Sequence, residues 1–166
     1  MKRILFSLAL SLIAMVSMAQ AKYVFYFIGD GMGANQVLAA EMYQAALQGQ
    51  IGRVPLLMSQ FPYSGQAATF SASDGITDSA AAGTCLASGK KTNNGMIGQT
   101  PDGEPAYSVA SMLHNEGWAV GIMSSVPVDH ATPASQYAHA EKRYQYYKIG
   151  TQLTQTGFNF FAGGGF

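Results

Sequence analysis

The chain has 166 residues, and charged residues make up 11% of them, well below the ~25% of an average soluble protein. Nine basic and nine acidic residues give a formal net charge of zero, which excludes nucleic-acid recognition through bulk positive charge. Hydrophobic residues make up 48%, enough for a domain-sized core and too many for a disordered chain. A single cysteine excludes a disulfide scaffold and a CxxC zinc site.

The N-terminal segment has the order of features of a secretory signal. Lys2 and Arg3 supply positive charge, residues 4–18 are almost wholly apolar, and small residues follow. This order predicts a signal peptide over 1–21 and a mature chain over 22–166, in the periplasm or outside the cell. The alternative is an N-terminal membrane anchor, but the apolar run is shorter than the ~20 residues that a spanning helix needs. We therefore expect no stable membrane span.

Strand-like and helix-like segments alternate after residue 22. An aliphatic and aromatic run predicts a strand over 23–28, buried on both faces, and apolar residues at helical spacing predict a helix over 35–47. The other predicted strands are 63–70, 118–123 and 158–161, and the other predicted helices are 78–87, 106–115, 146–154 and one that Thr132 caps. This alternation predicts an α/β fold with a mainly parallel sheet and helices on both faces.

Functional groups in such sheets gather beyond the carboxyl ends of the strands, and the first predicted strand ends in a Gly-Asp-Gly-Met-Gly motif at 29–33. The carboxylate of Asp30 is costly to hold there without a neutralising cation, so it is a candidate metal ligand. The alternative is a simple turn, because Asp-Gly is a common turn pair. The glycine spacing does not fit a dinucleotide fingerprint.

A second motif, Thr-Asp-Ser-Ala-Ala-Ala-Gly-Thr at 77–84, opens a predicted helix. Asp78 can cap that helix, which places Ser79 in the first turn, where backbone N–H groups attract an anion. Ser79 is a candidate nucleophile, although the chain lacks a Gly-x-Ser-x-Gly elbow and a bound cation would have to activate the hydroxyl. The alternative is a solvent-facing serine beside an ordinary cap.

A third cluster runs from the Asp-His-Ala-Thr-Pro motif at 129–133 to Arg143. Arginine binds phosphate through two parallel hydrogen bonds, so Arg143 is a candidate phosphate ligand; the alternative is an exposed charge cluster with Glu141 and Lys142. His114 and His139 are interpreted as structural or surface groups.

Taken in order, these motifs, together with Lys-Thr-Asn-Asn-Gly at 91–95, resemble the N-terminal portion of a secreted bacterial-type alkaline phosphatase. The resemblance implies that Asp30 bridges a zinc and a magnesium ion and that Thr132 ligates the magnesium. It implies that Ser79 becomes phosphoserine and that Arg143 grips the phosphate. His130 falls where family members carry Asp or His, and is expected to act near the magnesium through water.

The resemblance further implies hydrolysis of small phosphate monoesters at a site with two Zn²⁺ and one Mg²⁺, and it is compatible with a homodimer. Family members are usually much longer, and their remaining metal ligands are later Asp, Glu and His residues. Residues 144–166 contain none of these. We therefore expect an alkaline-phosphatase-like catalytic domain that is incomplete at its C-terminus and inactive alone.

Two alternatives remain open at this point. One is a related metal-dependent phosphodiesterase or sulfatase-type hydrolase on the same scaffold. The other is a non-catalytic phosphate-binding relic.

Overall fold

The computed structural model describes residues 21–165, so the predicted signal peptide lies outside them except for Ala21. None of the helices within 21–165 combines the length and apolar character that crossing a membrane requires. The helices are α1 Ala34–Leu47, a 3₁₀ turn Leu57–Gln60, α2 Ser79–Ser88, α3 Val109–Asn115, α4 Ala131–Ala134 and α5 Tyr146–Leu153, and the strands are β1 Gly121–Met123 and β2 Phe160–Ala162.

The two strands pair in parallel, with Gly121 opposite Phe160 and Met123 opposite Ala162. The helices α4 and α5 lie between them in the chain, which is the crossover that a parallel pair requires. The structure therefore confirms the α/β class and the parallel orientation, although both strands are shorter than predicted.

The predicted strands over 23–28 and 63–70 do not form. Residues 23–27 form neither a helix nor a strand, and their side chains are exposed, up to 89% at Phe27. A β-strand exists only when a neighbouring strand takes up its backbone hydrogen bonds, and no such neighbour lies beside 23–28 within the part of the chain described. The prediction of a strand buried on both faces was wrong for this reason.

The second helix, α2, follows its sequence signals closely. The α2 helix begins after Asp78, whose Oδ1 accepts a hydrogen bond from the Ala81 N–H at 2.9 Å. It ends at Gly89, which adopts φ +72° and donates its N–H to the Cys85 carbonyl. Glycine is favoured there because this left-handed conformation is strained for other residues.

Two other helices begin elsewhere than predicted. The α3 helix starts at Val109 because Ser108 is its cap and accepts a hydrogen bond from the Ser111 N–H at 3.0 Å. His130, not Thr132, is the N-cap residue of α4. Thr132 lies inside that helix, which leaves its hydroxyl available for another partner.

The core lies where α2 packs against α4. Its buried residues are Ala80, Ile97, Ala131, Ala134, Tyr137, Ala138, Ala140 and Ile149. A Cβ atom added to Gly83 would lie 2.8 Å from the Ser135 Oγ and 3.5 Å from the Thr132 Cα, so the absence of a side chain at Gly83 allows the two helices to approach closely. This contact sets the positions of Ser79 and Thr132, each of which is adjacent in sequence to a core alanine.

Candidate active site

Two hydroxyl groups from different helices meet on one carboxylate. Ser79 Oγ donates to Asp30 Oδ1 at 3.1 Å, and Thr132 Oγ1 donates to Asp30 Oδ2 at 2.7 Å. Asp30 is exposed, whereas Ser79 and Thr132 are half-buried. The fold thus brings together three of the residues that the sequence motifs singled out, although they are far apart in the chain.

A tight turn presents the Asp30 carboxylate to these helices. The Met32 N–H donates to the Gly29 carbonyl at 3.2 Å, and Gly31 adopts φ +68°. A side chain at Gly31 would strain this conformation. The glycines therefore have the role that the motif suggested, since Gly31 allows the chain to turn sharply directly after Asp30.

The Asp78 side chain connects the start of α2 with Arg143. Its Oδ1 caps the helix, and its Oδ2 accepts hydrogen bonds from the Gly95 N–H at 3.0 Å and from Arg143 Nη1 at 3.1 Å. The Asp78 carboxylate thereby ties the start of α2, directly before Ser79, to the guanidinium group of Arg143. This ion pair was not anticipated from the sequence.

Arg143 is also held by its backbone. Its N–H donates to the Gly95 carbonyl at 2.7 Å, and about a third of its side chain is exposed. A guanidinium group carries five N–H donors, so the contact with Asp78 leaves donors with which an anion can be bound. The structure thus places Arg143 beside the first turn of the helix that begins with Ser79.

The three histidines lie in different surroundings. The His130 ring stacks on Tyr146, with centroids 6.0 Å apart and planes 18° apart. His139 contacts the Gly98 carbonyl through Nδ1, and His114 packs edge-on against Phe158. The three histidines do not form a ligand set with Asp30. No cluster of three or more His, Cys, Asp or Glu side chains that could hold a metal ion occurs between residues 21 and 165.

The donor atoms around Asp30 are all oxygens. The carboxylate, the Thr132 hydroxyl and the Ser79 hydroxyl suit a hard cation such as Mg²⁺, which prefers oxygen ligands. Zinc in proteins is usually held by three or four side chains that include histidine or cysteine, and residues 21–165 do not assemble such a set. The described residues therefore fit part of a magnesium site and only the Asp30 contribution to a zinc site.

Tyr137 lies close to α4 but is not a proton-transfer group. Burial, together with the negative charge of Asp129, raises the pKa of Tyr137. Its hydroxyl donates to the Val128 carbonyl at 2.9 Å. The phenol therefore remains protonated over the physiological range and anchors the segment that leads into α4.

The Lys-Thr-Asn-Asn-Gly motif at 91–95 contributes contacts to the site that its sequence does not predict. In the structure, Asn94 Oδ1 accepts from the Asp78 N–H at 3.1 Å, and Gly95 contacts both Asp78 and Arg143. An Asn-Gly pair is a turn signal, and this would have indicated a fixed loop, but not what the loop touches.

A serine at a helix start, a carboxylate and an arginine therefore converge in one site of an α/β fold, and the helix start and the guanidinium group can both bind an anion such as phosphate. The profile of the alkaline phosphatase family matches residues 21–158. The chain belongs to the alkaline phosphatase family.

Known relatives agree with this assignment. The tissue-nonspecific alkaline phosphatase of Gallus gallus is 36% identical over 137 residues, which are 76% of this chain and 26% of the relative. The cold-active alkaline phosphatase of Shewanella sp. superposes with a TM-score of 0.73 at 30% identity, over 80% of this chain and 33% of its own. A mutant of the alkaline phosphatase from the Antarctic bacterium TAB5, solved with Mg bound, superposes with a TM-score of 0.57 at 30% identity, over 65% of this chain and 34% of its own. The chain thus spans about a quarter to a third of these relatives.

Proposed function

We propose that the protein carrying this chain hydrolyses phosphate monoesters, with Ser79 as the nucleophile. The observation that carries the proposal is the position of the Ser79 hydroxyl. It stands at the first residue of α2, 3.1 Å from the Asp30 carboxylate, and the preceding residue is bonded to Arg143. Membership of the alkaline phosphatase family supports the same reaction.

In the proposed reaction, Ser79 Oγ forms a bond to phosphorus as the bond to the ester oxygen breaks. The products are an alcohol and a phosphoserine, and water then cleaves the phosphoserine to release phosphate. Phosphoryl transfer of this kind depends mainly on positioning and charge stabilisation. Asp30 contributes by holding the Ser79 hydroxyl in one direction, and Asp78 contributes by fixing the backbone of the neighbouring residue.

Two features of the described residues suit the phosphate. The N-terminal end of α2 has a partial positive charge and N–H groups that face an approaching anion. Arg143 supplies a permanent charge, and its planar group matches phosphate oxygens in pairs. Their joint position beside Ser79 would hold the phosphorus in front of the attacking oxygen.

We further propose a site of two Zn²⁺ and one Mg²⁺, with Asp30 and Thr132 on the magnesium side and His130 close to it. Bound divalent cations would neutralise phosphate charge and lower the pKa of the attacking hydroxyl. The oxygen donors around Asp30 support the magnesium assignment, as does the Mg bound in the TAB5 relative. The other zinc ligands would come from residues other than 21–165.

We also propose that residues 1–21 direct export, so that the site works in the periplasm or outside the cell. The charged start and apolar run of this segment support the proposal.

The test compares a monoester with a diester, p-nitrophenyl phosphate with bis(p-nitrophenyl) phosphate, using the intact gene product supplied with Zn²⁺ and Mg²⁺. We expect faster turnover of the monoester and its loss in Ser79→Ala. Ser88→Ala, on the same helix, is the matched control. Faster turnover of the diester would favour the phosphodiesterase alternative, and no turnover of either would favour the relic. The 166-residue chain assayed alone is expected to be inactive.

A further inference from the structure

The turn formed by residues 93–96 joins the two halves of the site described above. The Met96 N–H donates to the Asn93 carbonyl at 3.1 Å, and Gly95 has φ +85°, which is the geometry of a tight turn with glycine at its third position. The Asn94 N–H donates to Ser73 Oγ at 3.0 Å. The turn is therefore fixed both internally and against a neighbouring loop.

The side chain of Asn94 holds the residues that lead into α2. Its Oδ1 accepts from the Asp78 N–H at 3.1 Å, and its Nδ2 donates to the Ile76 carbonyl at 3.0 Å. Both ends of one amide thus bind a stretch of three residues that stops immediately before Ser79. The backbone N–H of an N-cap residue lies outside the hydrogen-bond pattern of its helix, so Asn94 supplies a partner that the helix cannot.

Gly95 extends the connection to the arginine. Its N–H donates to Asp78 Oδ2 at 3.0 Å, and its carbonyl accepts from the Arg143 N–H at 2.7 Å. Adjacent residues of one turn therefore contact the segment before Ser79, the carboxylate that pairs with Arg143, and the backbone of Arg143. A displacement of this turn would move the serine and the guanidinium group relative to each other.

We infer that Asn94 is a positioning residue for the phosphoryl-transfer site: it sets the distance between the Ser79 hydroxyl and the Arg143 guanidinium through the 93–96 turn. This inference rests on the proposed function. Asn94 does not itself touch the reacting atoms. Misplacement of reacting groups by about 1 Å can reduce rates by about a hundredfold, so loss of this amide should reduce catalysis without removing a reacting group.

The experiment uses two pairs of variants in the intact gene product with Zn²⁺ and Mg²⁺. Asn94→Ala removes both amide bonds, and Asn93→Ala removes the same group one residue earlier in the same turn. Asn94→Asp keeps the shape and the acceptor for the Asp78 N–H but loses the donor to the Ile76 carbonyl, and Asn93→Asp adds the same charge nearby. Assays are run well below the melting temperature of each variant.

We expect kcat/KM for p-nitrophenyl phosphate to fall about tenfold or more in Asn94→Ala and about threefold or more in Asn94→Asp. The inhibition constant of inorganic phosphate should rise in the same variants, because Arg143 depends on the same turn. Both Asn93 variants should stay within about twofold of the wild type. A role limited to stability would lower the melting temperature while kcat and phosphate inhibition stayed at wild-type values.

The possible failures can be told apart. An active wild type with unchanged kcat/KM and phosphate inhibition in the Asn94 variants would overturn the inference and leave the proposed function intact. An equal fall in the Asn93 variants would also overturn it. If Asn94→Ala does not fold, Asn94→Asp decides the question by the same criteria. A wild type that hydrolyses no monoester would overturn both the inference and the proposed function.

Discussion

The contact between α2 and α4 and the segment 23–30, which forms neither a helix nor a strand, contribute to the same site in opposite ways. The helix contact is buried, built from small residues and closely packed around Gly83. Segment 23–30 is largely exposed and has no strand partner among the described residues. Ser79 and Thr132 are fixed by packing, whereas Asp30 is fixed mainly by a glycine turn and by the two hydroxyl groups that bind it.

This contrast indicates which substitutions should change activity and which should change the free energy of unfolding. Changes at Asp30 should alter activity first, because its carboxylate accepts the two hydroxyl bonds and is not part of the core formed by the described residues. Changes in the helix contact should alter folding first and activity only as a consequence. Substitutions at Asp30 and Gly83 test this division directly in the intact gene product, and substitutions at Arg143 and Glu41 extend it to the proposed phosphate ligand and to a buried carboxylate.

The largest effect is expected from Asp30→Ala. It removes the acceptor of two hydroxyl bonds and the proposed shared metal ligand, so kcat/KM for p-nitrophenyl phosphate should fall by about a thousandfold or more. The melting temperature of the metal-free protein should change little, because Asp30 is exposed among the described residues and lies outside their core. Asp102→Ala, in an exposed turn, should change neither quantity. A large drop in melting temperature with activity retained would break the comparison.

Arg143→Ala should raise the inhibition constant of inorganic phosphate by about a hundredfold, and Arg143→Lys by about tenfold, since lysine keeps the charge but loses the planar paired contact. The measurement is competitive inhibition of monoester hydrolysis. Arg53→Lys is the matched control, because its partner is Glu41 on α1. Equal inhibition constants in the wild type and Arg143→Ala would contradict the proposed role.

Gly83→Ala should lower the free energy of unfolding by about 1–2 kcal/mol, because its Cβ would overlap Ser135 and this strain exceeds the gain in helix propensity. Gly150→Ala is the matched control: it lies within α5 where an added Cβ meets nothing, and it should raise stability by up to about 1 kcal/mol. Denaturant unfolding measures both. If the free energy of unfolding changed in the same direction at both positions, close packing at Gly83 would be shown to be unimportant.

The smallest effect is expected at Glu41, a buried residue of α1. The Ser59 side chain and the Leu56 N–H, which donates to Glu41 Oε1 at 3.1 Å, hold the pKa of Glu41 below its ordinary value of 4.5, and Arg53 pairs with it at 3.1 Å. A lowered native pKa contributes stability that is present above the unfolded pKa and is lost as pH falls through the native pKa.

Glu41→Gln should therefore lower the melting temperature at neutral pH, and the difference from the wild type should shrink below about pH 4.5. Glu104→Gln, at an exposed position, is the control. A difference that stays constant from neutral to acidic pH would contradict the ionic origin of this contribution.

The sequence allowed the prediction of elements whose signals are local. The helix α2 has its cap at Asp78 and its terminating glycine at Gly89, and both work through contacts within a few residues. The run over 23–28 has an equally clear apolar pattern, yet its strand depended on a partner elsewhere in the chain. Apolar pattern alone therefore predicted neither the pairing nor the burial of this segment.

The residues of the site show the same difference between local signals, which the sequence predicts, and contacts with distant partners, which it does not. The motifs marked Asp30, Ser79 and Thr132 separately, and the family resemblance predicted that they belong together. Spacing alone could not show that Asp78 pairs with Arg143, because the contact joins residues 65 positions apart. Threonine is a common N-cap residue, so the sequence predicts that Thr132 caps α4. In the structure the Thr132 hydroxyl binds Asp30 instead, and a preference statistic cannot anticipate that long-range partner.

The most direct test of the proposed mechanism is the covalent state of Ser79. The intact gene product is mixed with a phosphate monoester, quenched in acid and digested, and its peptides are analysed by mass spectrometry. We expect one phosphoryl group on the peptide that contains Ser79, and no labelled peptide in Ser79→Ala. Phosphoryl label that persists in Ser79→Ala, or label on a different residue in the wild type, would contradict the account.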